Sequence, residues 1–488
     1  MSMRLNPITL SLSACLILGS PVSFGASVED TIRDLQRQID ELKAQQQAQQ
    51  RQVQEVKQAS QAAGGAPTAA AGGPKVTFGG QYRVNAYTSD NDFDNTPPNE
   101  NDNQTAARLR LRQNVDIEFD EQFKTHVQFE LQHTTDNVTT TDSRRGGNST
   151  NVSVRHAVMD YTFRPGNAWD GANAQVGIVP LQDYFHQTQF SSDWDYNPLA
   201  VSFIVPAGDS SLRLFAANLQ EGSESNANDD FVHYQADFSM PLGNDAGITF
   251  TGTALNIANA VGNSDGWHYN YGLGGHMPLG DSMKLNGFVM GSSTDSSLLG
   301  GNNDADGVAV LGELTGSLGS GEFGILASYT SGEDDGTGFL MPMAFAQSYG
   351  YWGYTGILTV QGPTDTAFDG DGVNMSNNGY GLSSIQAKYS FPITDAFSGY
   401  VSAGWYGNTD ARNRDSNVGT DLLAMGTYRF NRYFALDVGA AYANLEDSVS
   451  GYFQGVQSTS GISGAAFNQA KGENRDKYAL FTRIQAEF

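Results

Sequence analysis

The last eleven residues, Tyr478-Ala-Leu-Phe-Thr-Arg-Ile-Gln-Ala-Glu-Phe488, constrain the fold more than any other stretch of the chain. Tyr478, Leu480, Ile484, Ala486 and Phe488 share one parity, and Lys477, Arg483, Gln485 and Glu487 share the other. Phe481 is the one large apolar residue on the polar parity. Successive side chains of a strand point to opposite faces, so this reads as a strand with one apolar and one polar face. It stops on an aromatic with no polar tail. A soluble domain gains little from an exposed Phe at its end. A closed barrel in lipid gains a closing strand, apolar outward and wet inward.

The same alternation begins at Lys75. Val76, Phe78, Tyr82 and Val84 fall on one face, and Thr77, Gln81, Arg83 and Asn85 on the other. From there tight connections alternate with long polar ones. The tight ones are read at 120–122, 165–166, 206–209, 241–245, 278–281, 319–321, 392–395 and 431–433. Eight short turns and nine long loops predict an all-β, antiparallel transmembrane β-barrel of about 18 strands, with 16 as the alternative because the alternation is weak around 183–210. An even strand number puts both ends of the barrel on one side of the membrane. Strands of roughly 9–11 residues would suffice to cross it.

Composition supports this. Mean hydropathy is −0.38, as expected where only half of each strand meets lipid. The chain has 56 Gly, 21 Tyr and 27 Phe, a strand-and-turn composition rather than a disordered one. The formal net charge of −26 excludes binding to nucleic acid through phosphate neutralisation. Cys15 is the only cysteine, so disulfides and thiolate metal sites are excluded.

Four segments follow. Residues 1–25 read as a signal peptide, with Arg4 before the apolar run Ile8–Gly19 and a small-x-small site at Ser23-Phe-Gly25. A lipoprotein cut before Cys15 is the rival, but leaves only a short apolar run ahead of it. Residues 26–61 read as a periplasmic α-helical coiled coil. Val28, Ile32, Leu35, Ile39, Leu42, Val53 and Val56 share one heptad seam, with Gln46 and Gln49 in its middle. Such a stripe needs a partner, so self-association is expected. Residues 62–74 form a Gly/Ala/Pro linker, and 75–488 the barrel.

The strand-turn rhythm over 75–488 and the terminal Phe488 resemble Gram-negative outer-membrane porins. A coiled coil before the barrel is similar to that of some sugar porins and anion-selective porins, which are trimers. The resemblance implies outer-membrane localisation, contact with lipid and lipopolysaccharide, and recognition of the last strand by the barrel-assembly machinery. It also implies a homotrimer, with the coiled coil in the periplasm holding it together or contacting peptidoglycan.

A barrel's function lies on the inward parity of its strands. On the second strand Leu109, Leu111, Val115, Ile117 and Phe119 take the lipid parity, and Arg108, Arg110, Arg112, Asn114, Asp116 and Glu118 the lumen parity. Glu130 on the third strand, Arg83 on the first and Arg483 on the last join them. Three same-face arginines repel one another and need water, counter-ions or acids. Porins set a basic wall against an acidic, inward-folded third loop. By position that loop is about 181–196, with Asp183, Asp193 and Asp195. The bland alternative is that the arginines pair with Glu130, Asp116 and their neighbours as lumen filling.

The first, fourth, sixth and seventh long loops carry eighteen carboxylates and no Lys or Arg, an acidic mouth that attracts cations. Asp90, Asp92, Asp94, Asp369 and Asp371 offer an irregular Ca²⁺ site, although the EF-hand pattern fails because Asn95 and Asn101 stand where Gly and Glu are needed. The seventh loop, about 331–377, holds Phe339–Phe345 and Tyr349–Tyr354, and loops this apolar are expected to fold over or into the mouth, or to form an extra hairpin. Seven scattered His show no zinc-ligand spacing, and no cofactor or catalytic motif is read. The expectation is a porin for passive diffusion of ions and small hydrophilic solutes, weakly cation-preferring. The rivals are a substrate-specific channel, or an exporter of an anionic polysaccharide such as alginate, and an adhesin or structural anchor.

Overall fold

The computed structural model of the chain describes residues 73–90, 103–134, 150–164, 166, 169–185, 188–192, 196–220, 230–260, 264–299, 304–333, 338–342, 353–359, 375, 381–410, 416–445 and 476–488. The signal peptide, the coiled coil and all but the last two residues of the linker lie outside them.

Among the described residues eighteen strands form one sheet. They are β1 (Lys75–Asp90), β2 (Asn103–Glu118), β3 (Phe123–Thr134), β4 (Thr150–Thr162), β5 (Asn173–Ile178), β6 (Leu199–Ala207), β7 (Ser210–Gln220), β8 (Phe231–Gly243) and β9 (Ala246–Ala260). There follow β10 (Ser264–Leu279), β11 (Met283–Thr294), β12 (Ala305–Leu318), β13 (Gly321–Thr330), β14 (Ser383–Pro392), β15 (Phe397–Gly407), β16 (Asn417–Arg429), β17 (Phe434–Leu445) and β18 (Lys477–Glu487). Each pairs antiparallel with its sequence neighbours, and β1 pairs with β18, so the sheet closes and has no edge. All eight tight connections lie where the sequence puts them. At one of them Asn244 and Asp245 both have positive φ (48° and 58°), which matches a hairpin turn to the right-handed twist of its strands. Asp120 takes backbone N–H bonds from Gln122 and Phe123 at 2.8 Å each in its turn, and these hold its carboxyl below the usual range.

The seam fixes the register. Glu487 faces Gln81 and Ala479 faces Ser89, so the terminal strand pairs with the first one as its parity requires. Phe488 continues the ladder, donating to Gly80 O at 3.1 Å and accepting from Gly80 N at 2.8 Å. A Cβ on Gly80 would sit 2.2 Å from the Arg112 carbonyl, which is why this position has none. Tyr478, Leu480, Ile484 and Phe488 are exposed on the outer face, as are Phe78, Val152, Leu199, Ile385 and Val438. The short turns carry aromatic groups: Tyr161, Phe163, Trp169 and Phe203 meet edge-on, and Tyr428, Phe430 and Phe434 pack together. This is the girdle a barrel places at a membrane interface.

The inward parity is not uniformly polar. Phe215, Phe288, Met290, Leu311, Leu326, Leu423, Ala441 and Phe481 point inward and are buried in one apolar cluster. Their partners come from two long connections, 179–198 between β5 and β6 (L3) and 331–382 between β13 and β14 (L7). The core therefore lies inside the barrel. An inward-folded loop needs apolar wall to pack on, and these strands supply it on the parity where a fully wet lumen would be polar.

Candidate functional site

Three cross-strand rows build the basic wall. Asp437 on β17 faces Arg483 on β18, which faces Asn85 on β1, which faces Arg108 on β2. In the next row Gln485, Arg83, Arg110 and Gln132 follow one another, and in the third Glu487, Gln81, Arg112 and Glu130. Neighbouring strands lie about 4.8 Å apart, so Arg83 and Arg110 are direct partners of like charge, an arrangement that costs stability.

Hydrogen bonds arrange the wall. Arg483 Nε donates to Asp437 Oδ2 at 2.6 Å, and Arg112 Nε to Glu130 Oε2 at 2.5 Å. Arg110 Nη2 donates to Gln81 Oε1 at 2.8 Å, and Arg108 Nη2 to Gln132 Oε1 at 2.9 Å, both neutral amides. Arg155 on β4 joins Glu130 at 3.8 Å and donates to Gln128 Oε1 at 2.9 Å. Six guanidinium groups (Arg83, Arg108, Arg110, Arg112, Arg155 and Arg483) thus gather on this wall, with Glu130 between Arg112 and Arg155, Asp437 on Arg483, and Glu487 at the end of the third row.

Parity alone misses Arg155. The ladder shifts between Gln128 and Phe129, where His156 and then Val154 are the partners, so Arg155 is the extra residue of a β-bulge. A bulge re-aims side chains; here Arg155 and His156 are both buried inside. The sequence shows Arg155 but nothing that marks the bulge.

L3 folds into the lumen, and Asp183 holds its shape. The Asp183 carboxylate accepts backbone N–H bonds from Phe185 at 2.6 Å, Gln189 at 2.5 Å and Phe190 at 3.0 Å. The carboxylate thus braces the loop, because loop amides inside the barrel need acceptors. Phe190 packs against Tyr196, Phe215 and His233 with ring centroids at 4.9, 5.9 and 5.1 Å. Phe185 crosses to β11, with its ring centroid 5.6 Å from that of Phe288. A Cβ on Gly274 would lie 2.3 Å from the Phe185 ring, so that glycine makes room for the loop tip. Arg155 donates to the Ser192 carbonyl and ties L3 to the basic wall.

L7 enters as well, as its apolar residues led one to expect. Asn270 Nδ2 donates to Leu340 O at 2.9 Å, and Leu340 N to Ser292 Oγ at 3.2 Å. Further along, Tyr354 N donates to Gln386 Oε1, and the Tyr400 and Ser402 hydroxyls donate to Tyr354 O, each at 2.7 Å. Asp421 Oδ2 accepts from Ile357 N at 2.7 Å and Leu358 N at 2.6 Å. Lys388 Nζ lies 4.3 Å from the Tyr354 ring centroid, and the Tyr354 hydroxyl bonds to Glu313. Neither Asp421 nor this Lys388–Tyr354–Glu313 group was foreseen from sequence, because nothing local says which wall a long loop will meet.

The remaining expected residues sit elsewhere. Asp116 lies lower on the face of Arg112 and bonds His126 at 2.7 Å. Glu118, at the end of β2, is 3.5 Å from Lys124, and both are well exposed. Asp90 ends β1. Asp92, Asp94, Asp193, Asp195, Asp369 and Asp371 lie outside the described residues, so the calcium site and part of the acidic loop do too.

A closed eighteen-strand sheet, apolar outside, girdled by aromatics and crossed inside by two loops, defines an outer-membrane β-barrel of porin architecture. Among the described residues no helix is long and apolar enough to cross a membrane. No family model and no curated protein matches the chain. Solved structures do. OccK5 (OpdH) of Pseudomonas aeruginosa superposes with a TM-score of 0.51 at 10% identity, over 84% of this chain and 98% of that one. OpdQ of the same organism gives 0.51 at 10% identity, over 85% and 98%. At that identity the likeness is one of fold.

Proposed function

We propose that the chain is a Gram-negative outer-membrane channel that passes small hydrophilic solutes passively, favouring those with negative charge. The observation that carries this is the basic wall: six guanidiniums that outnumber the carboxylates beside them (Glu130, Asp437, Glu487 and Asp116), in a lumen that L3 and L7 narrow. The chain's net charge of −26 is no objection, because the wall acts at contact distance and much of the acid lies in the loops at the mouth. The two inward loops favour small solutes over a polysaccharide. The second reading is a weakly cation-preferring diffusion pore, favoured by the acidic loops. As further parts of the proposal, the coiled coil holds a homotrimer and projects into the periplasm.

Planar-bilayer recordings in a KCl gradient test the choice. At about 10 Å in water a unit charge is worth about 0.4 kcal/mol, or roughly twofold in local ion concentration. Arg83→Ala and Arg110→Ala should each move the permeability ratio toward cations by about that factor. A wild-type channel that prefers cations, with no shift in either variant, would favour the second reading. A barrel that conducts nothing would leave only the adhesin or anchor.

A further inference from the structure

The strand register brings together two histidines that are thirty residues apart in sequence. Asp116 on β2 faces His126 on β3, and the bulge at Arg155 turns His156 of β4 inward beside it. His126 Nδ1 lies 2.7 Å from Asp116 Oδ1, and His126 Nε2 lies 3.3 Å from His156 Nδ1. A carboxylate only accepts, so Nδ1 of His126 carries the proton and its Nε2 lone pair faces His156. A carboxylate behind one imidazole nitrogen is the support that metal-binding histidines have.

We propose that His126 and His156 form a binding site for a divalent transition-metal cation of the Zn²⁺ type, with Asp116 orienting His126. Tetrahedral Zn²⁺ with Zn–N bonds of about 2.05 Å places two ligand nitrogens about 3.3 Å apart. The pair already has that separation, which serves an N–H···N bond in the metal-free state. Binding requires His156 to move its proton from Nδ1 to Nε2. Among the described residues the site has these two histidines as its ligands, and no group of three or more His, Cys, Asp or Glu could hold a metal; lumen water fills the other positions. Access is from the lumen: the His126 and Asp116 side chains are 30% and 54% exposed, whereas His156 is buried. The neighbouring cations do not forbid the site. Arg112 and Arg155 both converge on Glu130, and Asp116 adds a further negative charge.

The test is a ZnCl₂ titration of the full-length refolded protein by calorimetry. Excess Mg²⁺ occupies the loop carboxylates, and Cu²⁺ electron paramagnetic resonance counts the ligating nitrogens. Wild type should show one saturable site with two nitrogens. His126→Ala and His156→Ala should each weaken it at least tenfold, and Asp116→Asn by about 10- to 100-fold. His276→Ala, on β10, should leave it unchanged. His126→Gln, at a partly exposed position, replaces any variant that fails to fold. Wild-type binding that matches the His126→Gln/His156→Ala double variant, or a signal with one nitrogen or none, overturns the proposal and leaves an imidazole pair that merely shares a proton.

Discussion

Asp421→Ala should loosen L7 and make the channel flicker to a larger conductance. Asp421 is fully buried, and one of its oxygens accepts the N–H groups of Ile357 and Leu358. Removing the carboxylate leaves two buried donors without an acceptor, at about 1–3 kcal/mol each, so about 2–6 kcal/mol against the docked segment. What remains includes the Gln386 bond to Tyr354 N and the Tyr400 and Ser402 bonds to Tyr354 O, about 0.5–1.5 kcal/mol apiece, beside the Tyr354 contacts with Glu313 and Lys388. The buried side chains of Ile357 and Leu358 add about 1.5–3 kcal/mol each. Set against roughly 4.5–10.5 kcal/mol from these groups, the loss removes a large share of what holds the segment, so it should undock for short intervals. Single-channel recording reads this as steps between the wild-type level and a higher one. Asp421→Asn keeps an acceptor oxygen and should step far less often. A steady Asp421→Ala trace at the wild-type level, from a barrel with wild-type heat stability, would refute the claim that this carboxylate holds the loop.

Three further outcomes are expected. Gly274→Leu should displace the L3 tip, because its Cβ would meet the Phe185 ring at 2.3 Å; conductance should rise, and Phe185→Ala in the same chain should return the side chain's space and lessen the packing conflict, measured by thermal melting. Gly80→Val should impair closure of the seam against the Arg112 carbonyl at 2.2 Å, read as loss of the heat-modifiable folded band on gels. Deleting residues 27–62 should lower the heating temperature at which the proposed homotrimer dissociates while leaving conductance per barrel unchanged; an unchanged dissociation temperature would count against the proposed role of this segment in holding the trimer.

Much of the fold was legible because a strand's two-residue period is local. Tyr478, Leu480, Ile484 and Phe488 alternate with Arg483 and Gln485 whatever their neighbours do, and the eight tight turns carry their own Pro, Gly, Asn and Asp signals. Parity also put Arg83, Arg108, Arg110, Arg112, Glu130 and Arg483 on one face. Only closure made them one site, since Arg483 and Arg83 are neighbours solely through the β1–β18 pairing. Parity failed at Arg155 because a bulge changes the period without changing composition. It was also incomplete at Leu311, Leu326 and Leu423, which face inward because loops from distant sequence pack on them.

The sequence by itself determined that this chain forms amphipathic strands and which side chains share a face, because these follow from covalent geometry and the preference of apolar groups for lipid; eighteen strands over the alternative of sixteen was decided by the closed sheet. The tertiary structure alone decided what the inward face is for. It folded L3 and L7 onto an apolar part of the wall, left the arginines gathered on β18, β1, β2 and β4, and brought His126 to His156. Those contacts join residues tens to hundreds of positions apart, and their energies depend on packing and desolvation that no local period records.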